Sequence, residues 1–255
     1  MQTGKELAGK VALVTGGSAG IGRATALAFA AQGVKVVVAD IDVSGGEETV
    51  RMIQGEGSDG LFVETDVSQS QDVQAMVERT IEAYGRLDFA FNNAGIEGER
   101  APTADTNEEN WDRVIDINLK GVWLCMKYEI PHMLETGGGA IVNTSSAAGR
   151  VGFAQIPAYT ASKHGVIGLT KAAALEYATE NLRVNAVCPG VIDTAMVERY
   201  IGDDEESREQ LISSQPIGRL GRPEEVADVV VCLCAEGTSF VTGVAMPADG
   251  GYIAQ

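Results

Sequence analysis

The run Val11-Ala-Leu-Val-Thr-Gly-Gly-Ser-Ala-Gly-Ile-Gly22 decides the fold. Val11 to Val14 is short, apolar and bounded by Lys10 and a glycine cluster, which reads as a buried strand. From Gly20 to Gln32, residues Ile21, Ala24, Leu27, Ala28 and Ala31 recur at helical spacing, and Gly33 serves as the stop. A strand, a glycine-rich turn and a helix therefore follow one another directly.

The same rhythm extends along the chain. Strands are expected at Val34–Ala39, Leu61–Glu64, Leu87–Phe91, Ala140–Thr144, Val184–Val187 and Val244–Met246. Helices are expected at Glu47–Gln54, Ser68–Tyr84, Glu108–Leu134, Pro157–Ala178 and Pro223–Ala235. Strands that are apolar throughout, alternating with helices, imply a parallel sheet covered on both faces. The expected fold is a single-domain α/β, Rossmann-type doubly wound parallel sheet of about seven strands. Ligands of such a sheet bind at the carboxyl ends of its strands.

Composition narrows the function. The 255 residues are 45% hydrophobic and carry a formal net charge of −17. That balance argues against nucleic acid, anionic membranes and acidic carrier proteins as partners. No run is long and apolar enough to span a bilayer, and the first ten residues lack the apolar core of a signal peptide. Cys125, Cys188, Cys232 and Cys234 match no zinc spacing. Reduced thiols in a cytoplasmic protein are the expectation.

The turn after the first strand has the makings of a phosphate cradle. Glycines at 16, 20 and 22 permit close backbone approach, and Ser18 and Ile21 sit where a helix N-terminus would face a diphosphate. The spacing is not G-x-G-x-x-G. Asp40 ends the second strand, 18 residues after Gly22. A carboxylate there accepts from both adenosine ribose hydroxyls and repels a 2′-phosphate. Gly17, Ala19 and Ile41 occupy the neighbouring places, and none is basic. NAD is therefore expected over NADP.

Four segments carry a resemblance: Thr15-Gly-Gly-Ser-Ala-Gly-Ile-Gly22, Asn92-Asn-Ala-Gly95, Tyr159-Thr-Ala-Ser-Lys163 and Cys188-Pro-Gly190. In this order and spacing the chain resembles the short-chain dehydrogenase/reductase family over essentially its whole length. The chemistry also follows from the residues. Reducing a ketone leaves an alkoxide that needs a proton, and an unperturbed tyrosine at about 10 is a weak base at neutral pH. Tyr159 and Lys163 are four apart on a helix, so Lys163 is expected to lower the tyrosine. Lys163 can also donate to the nicotinamide ribose. Ser146, 13 residues before Tyr159, is expected to hold the substrate oxygen, with Ser145 turned elsewhere.

The resemblance implies further roles. Asn118 matches an asparagine that helps hold a water in a proton relay to the lysine. The backbone of Asn92, Ala94 and Gly95 would lie by the adenosine ribose. Asp66, with Val67, would meet the adenine. Pro189, Gly190, Ile192 and Thr194 would meet the nicotinamide, with Tyr159 and Lys163 also touching the cofactor. A homotetramer paired through the helices at 108–134 and 157–178, or a dimer, is implied.

Residues at about 193–216, including Met196, Tyr200, Ile201 and Gly202-Asp-Asp-Glu-Glu206, read as a substrate lid with a wet outer face. Ala148, Phe153, Gln155, Ile156 and Glu97 are placed to line the substrate pocket. A small to medium ketone, diketone, alicyclic alcohol or polyol all suit such a wall. His132 and His164 make no metal site, and no metal is expected in catalysis. Some family members with a similar chain ending hold a structural magnesium near the last residue, here Gln255. The competing readings are a 3-oxoacyl-[acyl-carrier-protein] reductase, a sugar or polyol dehydrogenase, a longer sugar-nucleotide epimerase with different glycine spacing, and a cofactor-sensing regulator. The absence of a basic partner for Asp40 and the −17 charge oppose the first, and the regulator would not need Ser146, Tyr159 and Lys163 together.

Overall fold

Residues 7–201 and 205–254 are described in a computed structural model of the chain. Seven strands form one parallel sheet in the order β3-β2-β1-β4-β5-β6-β7. They are β1 (Val11–Thr15), β2 (Lys35–Asp40), β3 (Gly60–Glu64), β4 (Phe89–Asn92), β5 (Gly139–Thr144), β6 (Leu182–Pro189) and β7 (Ala245–Ala248). The helices are α1 (Gly20–Ala31), α2 (Val43–Gly55), α3 (Ser70–Tyr84), α4 (Glu108–Ile115), α5 (Gly121–Glu135), α6 (Pro157–Glu176), α7 (Ala195–Ile201), α8 (Glu205–Ser213) and α9 (Pro223–Cys234).

Every residue of β1 and of β4 is buried, which is why these strands read as unbroken apolar runs. Two cores result. Val14, Phe29, Val36, Phe89, Val142 and Val230 pack between the sheet and α1 and α9. Leu13, Val37, Met76, Leu124, Ile141 and Val166 pack between the sheet and α3, α5 and α6. Phe29 stacks on Phe89 with ring centroids 5.8 Å apart. Truncating such a buried ring to alanine costs about 3–5 kcal/mol. β1 lies between β2 and β4, so the strand order reverses there and a crevice opens at the carboxyl ends of β1 and β4.

Three elements differ from the sequence reading. The helix expected over 108–134 is interrupted by a π-helical turn at Asp116–Lys120. The cause is Asn118, whose amide bonds the Ile96 backbone instead of facing solvent, and the chain widens around it. α2 begins at Val43, ahead of the expected Glu47, because the Asp42 carboxylate caps it by accepting from Gly45 N–H at 3.1 Å. A Cβ at Gly46 would lie 2.1 Å from the Phe62 ring, so glycine there lets α2 settle onto β3. The 193–216 segment contains helices α7 and α8. The side chains of Tyr200 and Ile201, residues 202–204, and Gln255 with any ion beside it lie outside the described residues.

Candidate active site

A cleft of about 710 Å³ runs along the carboxyl ends of β1, β4, β5 and β6. Its first end is the turn between β1 and α1. Ala19 precedes α1 in extended conformation and supplies no side-chain cap, and the first turn holds no acidic residue. The leading N–H groups of α1 are thus left without a side-chain cap, in the arrangement that receives an anion. Gly16, Ser18, Gly20 and Ile21 line the cleft. Gly22 does not line it, contrary to expectation. A Cβ on Gly22 would lie 2.0 Å from the Gly16 carbonyl oxygen, so its part is to let the turn close on itself.

Asp40 stands at the tip of β2, and both its oxygens are held by main chain. Oδ2 accepts from Ser18 N–H at 3.0 Å and Oδ1 from Asp42 N–H at 3.0 Å. A carboxylate fixed in this way presents its remaining lone pairs in set directions. The sequence reading overlooked a cation beside this corner. Arg23 donates to the Ser18 carbonyl at 2.5 Å, to Glu48 at 2.8 Å and to Thr49 Oγ1 at 3.0 Å. Its charge is thereby turned onto Glu48, away from the cleft lining. Asp66 and Val67 line the same end, with Thr65.

Ala94 and Gly95 line the middle of the cleft. Asn92 does not, contrary to expectation. It is 1% exposed, and its amide donates down into the core, to Asn143 Oδ1 at 3.0 Å and Glu129 Oε2 at 3.1 Å. Asn93, one residue on, ties the switch point by donating its amide to the Thr15 carbonyl at 3.1 Å.

Tyr159 and Lys163 both line the cleft from one turn of α6, with Lys163 Nζ 5.5 Å from the Tyr159 ring centre. Lys163 is 3% exposed and donates to the Thr144 carbonyl at 2.8 Å. Burial pulls its pKa down to about 8. Burial pushes Tyr159 up to about 12, against a lowering hydrogen bond with the Ser146 hydroxyl and with a further rise from the Glu97 charge. The expected lowering of Tyr159 by Lys163 is therefore not what this geometry gives. Desolvation of the buried phenol is the largest influence on its pKa. Ser146 Oγ also accepts from Ala148 N–H at 3.1 Å, and Ser145 Oγ turns away to the Lys163 carbonyl at 2.8 Å.

Asn118 is fully buried and does not line the cleft. Its amide oxygen accepts from Ile96 N–H at 2.8 Å, and its nitrogen donates to the Ile96 carbonyl at 2.8 Å. Pro189, Gly190, Ile192 and Thr194 line the far wall, where Thr194 Oγ1 donates to the Ile192 carbonyl at 3.3 Å. Beyond Tyr159 the cleft turns apolar, with Ala148, Phe153, Ile156, Met196, Val197 and Tyr252. Phe153 stacks on Tyr252 at 5.6 Å between centroids. Gln155 is exposed, at φ 68°, and does not join this wall. Val197, Leu211 and Tyr252 went unnoticed in the sequence, where nothing local marks them. Glu97 lines the same end.

One cleft thus joins an anion-receiving helix start, a carboxylate on a strand tip, and a tyrosine–serine–lysine group beside an apolar chamber. A family model described as enoyl-(acyl carrier protein) reductase matches residues 16–253. The chain belongs to the short-chain dehydrogenase/reductase family, and it is an oxidoreductase that interconverts alcohol and carbonyl groups. That family typically uses a nicotinamide cofactor.

Cyclohexanol dehydrogenase of Acinetobacter sp. (strain SE19) is 47% identical over 243 residues, covering 95% of this chain and 94% of the relative. The 3-oxoacyl-[acyl-carrier-protein] reductase FabG of Thermotoga maritima is 42% identical over 248 residues, covering 97% and 99%. The crystal structure of levodione reductase superposes with a TM-score of 0.94 at 39% identity, covering 97% of this chain and 98% of that one.

Proposed function

We propose that the protein oxidises a small to medium alicyclic secondary alcohol, and reduces the matching ketone, with NAD(H) in preference to NADP(H). The observation that carries this reading is the single cleft with Asp40 at one end and Tyr159, hydrogen-bonded to Ser146, at the other. The residues suit a nicotinamide dinucleotide. The uncapped start of α1 would hold its diphosphate, and Asp40 would hold its ribose diol. When bound, that cofactor supplies or accepts the hydride.

The remaining steps belong to the chain. Ser146 holds the substrate oxygen by its hydroxyl. Tyr159 donates its phenolic proton to that oxygen in reduction and takes it back in oxidation. Lys163 keeps a positive group behind Tyr159 and anchors the Thr144 carbonyl. Asn118 acts as a positioning residue through Ile96. The apolar chamber of Phe153, Ile156, Met196 and Tyr252 excludes water from the reacting carbon. The names of the cyclohexanol and levodione relatives support a six-membered carbocyclic substrate.

The acyl-carrier reductase remains the second reading, favoured by the Thermotoga relative. The −17 charge opposes docking of an acidic carrier. The exposed Trp111 and Trp123, with Leu175 83% exposed on α6, support pairing of these helices in a homotetramer. The test is NADH oxidation with cyclohexanone, an acetoacetyl thioester and a sugar lactone, each repeated with NADPH. Turnover of cyclohexanone with NADH supports the reading. Preference for the thioester with NADPH overturns it.

A further inference from the structure

We propose that Tyr252 is the ring-size determinant of the substrate chamber: stacked on Phe153, it forms a fixed aromatic wall that admits a single carbocycle and turns away fused rings. This rests on the reading of the chamber as an alicyclic alcohol site. Phe153 and Tyr252 both line the apolar end of the cleft and are half-buried there. Their ring centroids are 5.6 Å apart and their planes 26° apart, within the range of a favourable aromatic pair. Phe153 comes from the loop between Ser146 and α6, and Tyr252 from the turn after β7. Two segments distant in sequence thus close one wall together.

Both segments are anchored. Arg150 Nη1 donates to the Ala245 carbonyl at 2.8 Å, which ties the start of the Phe153 loop to β7 itself. Near the end of that loop Gln155 sits at φ 68°, a left-handed conformation uncommon outside glycine, and its carbonyl accepts from Ala101 N–H at 2.9 Å. Such a conformation persists where the surroundings over-determine it. On the other side Asp249 holds the Tyr252 turn. Its Oδ1 accepts from Gly251 N–H at 2.9 Å and its Oδ2 from Ile253 N–H at 3.1 Å. A Cβ on Gly190 would lie 2.8 Å from Asp249 Cα, so the turn sits flush against the loop after β6. Moving either ring aside breaks the stack, and moving either segment breaks its anchors. A fused second ring must displace this wall, and a single ring need not.

The experiment measures kcat/KM for cyclohexanone and for the fused bicyclic ketone 2-decalone, with NADH and with NADPH. Wild type is compared with Tyr252→Ala, Phe153→Ala and Tyr252→Phe. The two ketones are read as a ratio, so that a general loss of activity cancels. In wild type cyclohexanone should exceed 2-decalone by roughly tenfold or more. Either alanine variant should bring the ratio to within about threefold of unity, and Tyr252→Phe, which keeps the stack, should restore the discrimination. Cyclohexanone turnover with a ratio unmoved in both alanine variants overturns the role of Tyr252 and leaves the alcohol chemistry standing. Equal use of the two ketones by wild type, or a Tyr252→Phe that behaves as Tyr252→Ala does, overturns it in the same way. Failure of wild type on both ketones overturns the alicyclic reading, and the role of Tyr252 with it.

Discussion

Glu129 and Asn92 form a fully buried pair in which Asn92 Nδ2 donates to Glu129 Oε2 at 3.1 Å while Glu129 Oε1 and Asn92 Oδ1 have no partner. Two acceptors orphaned on the same two side chains lack one donor, and a proton on the carboxyl supplies it. Burial pushes Glu129 up to about 7, against the lowering hydrogen bond from Asn92. The group is neutral in mildly acid solution. The pair joins α5 to β4, and through Asn143 to Thr170 on α6, so it lies under the helix that bears Tyr159.

A stability change with pH follows from this pair. The folded value of Glu129 lies above its ordinary 4.5, so the folded chain binds the proton more tightly than the unfolded one. Its stabilisation is complete below about pH 4.5 and is lost as pH rises through about 7, on the order of 3 kcal/mol in all. Glu129→Gln keeps the shape and carries its own N–H donor. Thermal melts should show wild type losing stability from about pH 4.5 to about pH 7.5, and the variant losing less. Equal slopes in the two proteins contradict the neutral carboxyl.

Cofactor choice should turn on Asp40. Asp40→Ala removes the charged acceptor and should weaken NADH by roughly 10- to 100-fold while favouring NADPH relatively. Adding Glu48→Gln releases Arg23 from its 2.8 Å ion pair and should raise the NADPH-to-NADH ratio again. Steady-state KM for both cofactors measures this. An unchanged ratio in the double variant removes Arg23 from the argument.

Gly22→Ala should damage the cradle. Its Cβ would meet the Gly16 oxygen at 2.0 Å, so the turn must open. The expected cost is about 1–3 kcal/mol of stability, with NADH binding lost in a fluorescence titration. Binding of NADH at wild-type affinity would show that the turn tolerates opening.

The two reaction directions should differ in pH response. With Tyr159 held at about 12, the phenol is protonated throughout the neutral range. Ketone reduction uses the phenol, and alcohol oxidation uses the phenolate. Oxidation kcat/KM should therefore climb with pH across roughly 7 to 10 while reduction does not climb. Parallel profiles in both directions would place the proton transfer elsewhere.

The sheet was legible because its inner strands are buried on both faces, and Val11–Val14 or Val36–Ala39 allow few other readings. The anion end was legible because a glycine turn between strand and helix has a local signature. The failures share one cause, which is contact between distant residues. Asn118 breaks its helix only because Ile96, 22 positions away, offers both backbone groups. Arg23 reaches the Ser18 carbonyl beside Asp40, but Glu48, 25 positions on, decides where its charge points. Asn92 and Asn93 are neighbours with opposite fates, since successive strand residues face opposite ways and one position decides which meets the cleft. Tyr159 is raised by burial that no spacing of tyrosine and lysine reveals.

The central claim is that Tyr159 moves the proton for alcohol and ketone exchange with NAD(H). The most direct test follows NADH consumption with cyclohexanone by wild type and Tyr159→Phe, with NADH affinity measured on both. Wild type should turn over, and the variant should bind NADH within about threefold of wild type while losing all but a small residue of turnover, a hundredfold or more by roughly the usual worth of a general acid. Normal turnover by Tyr159→Phe would contradict the account.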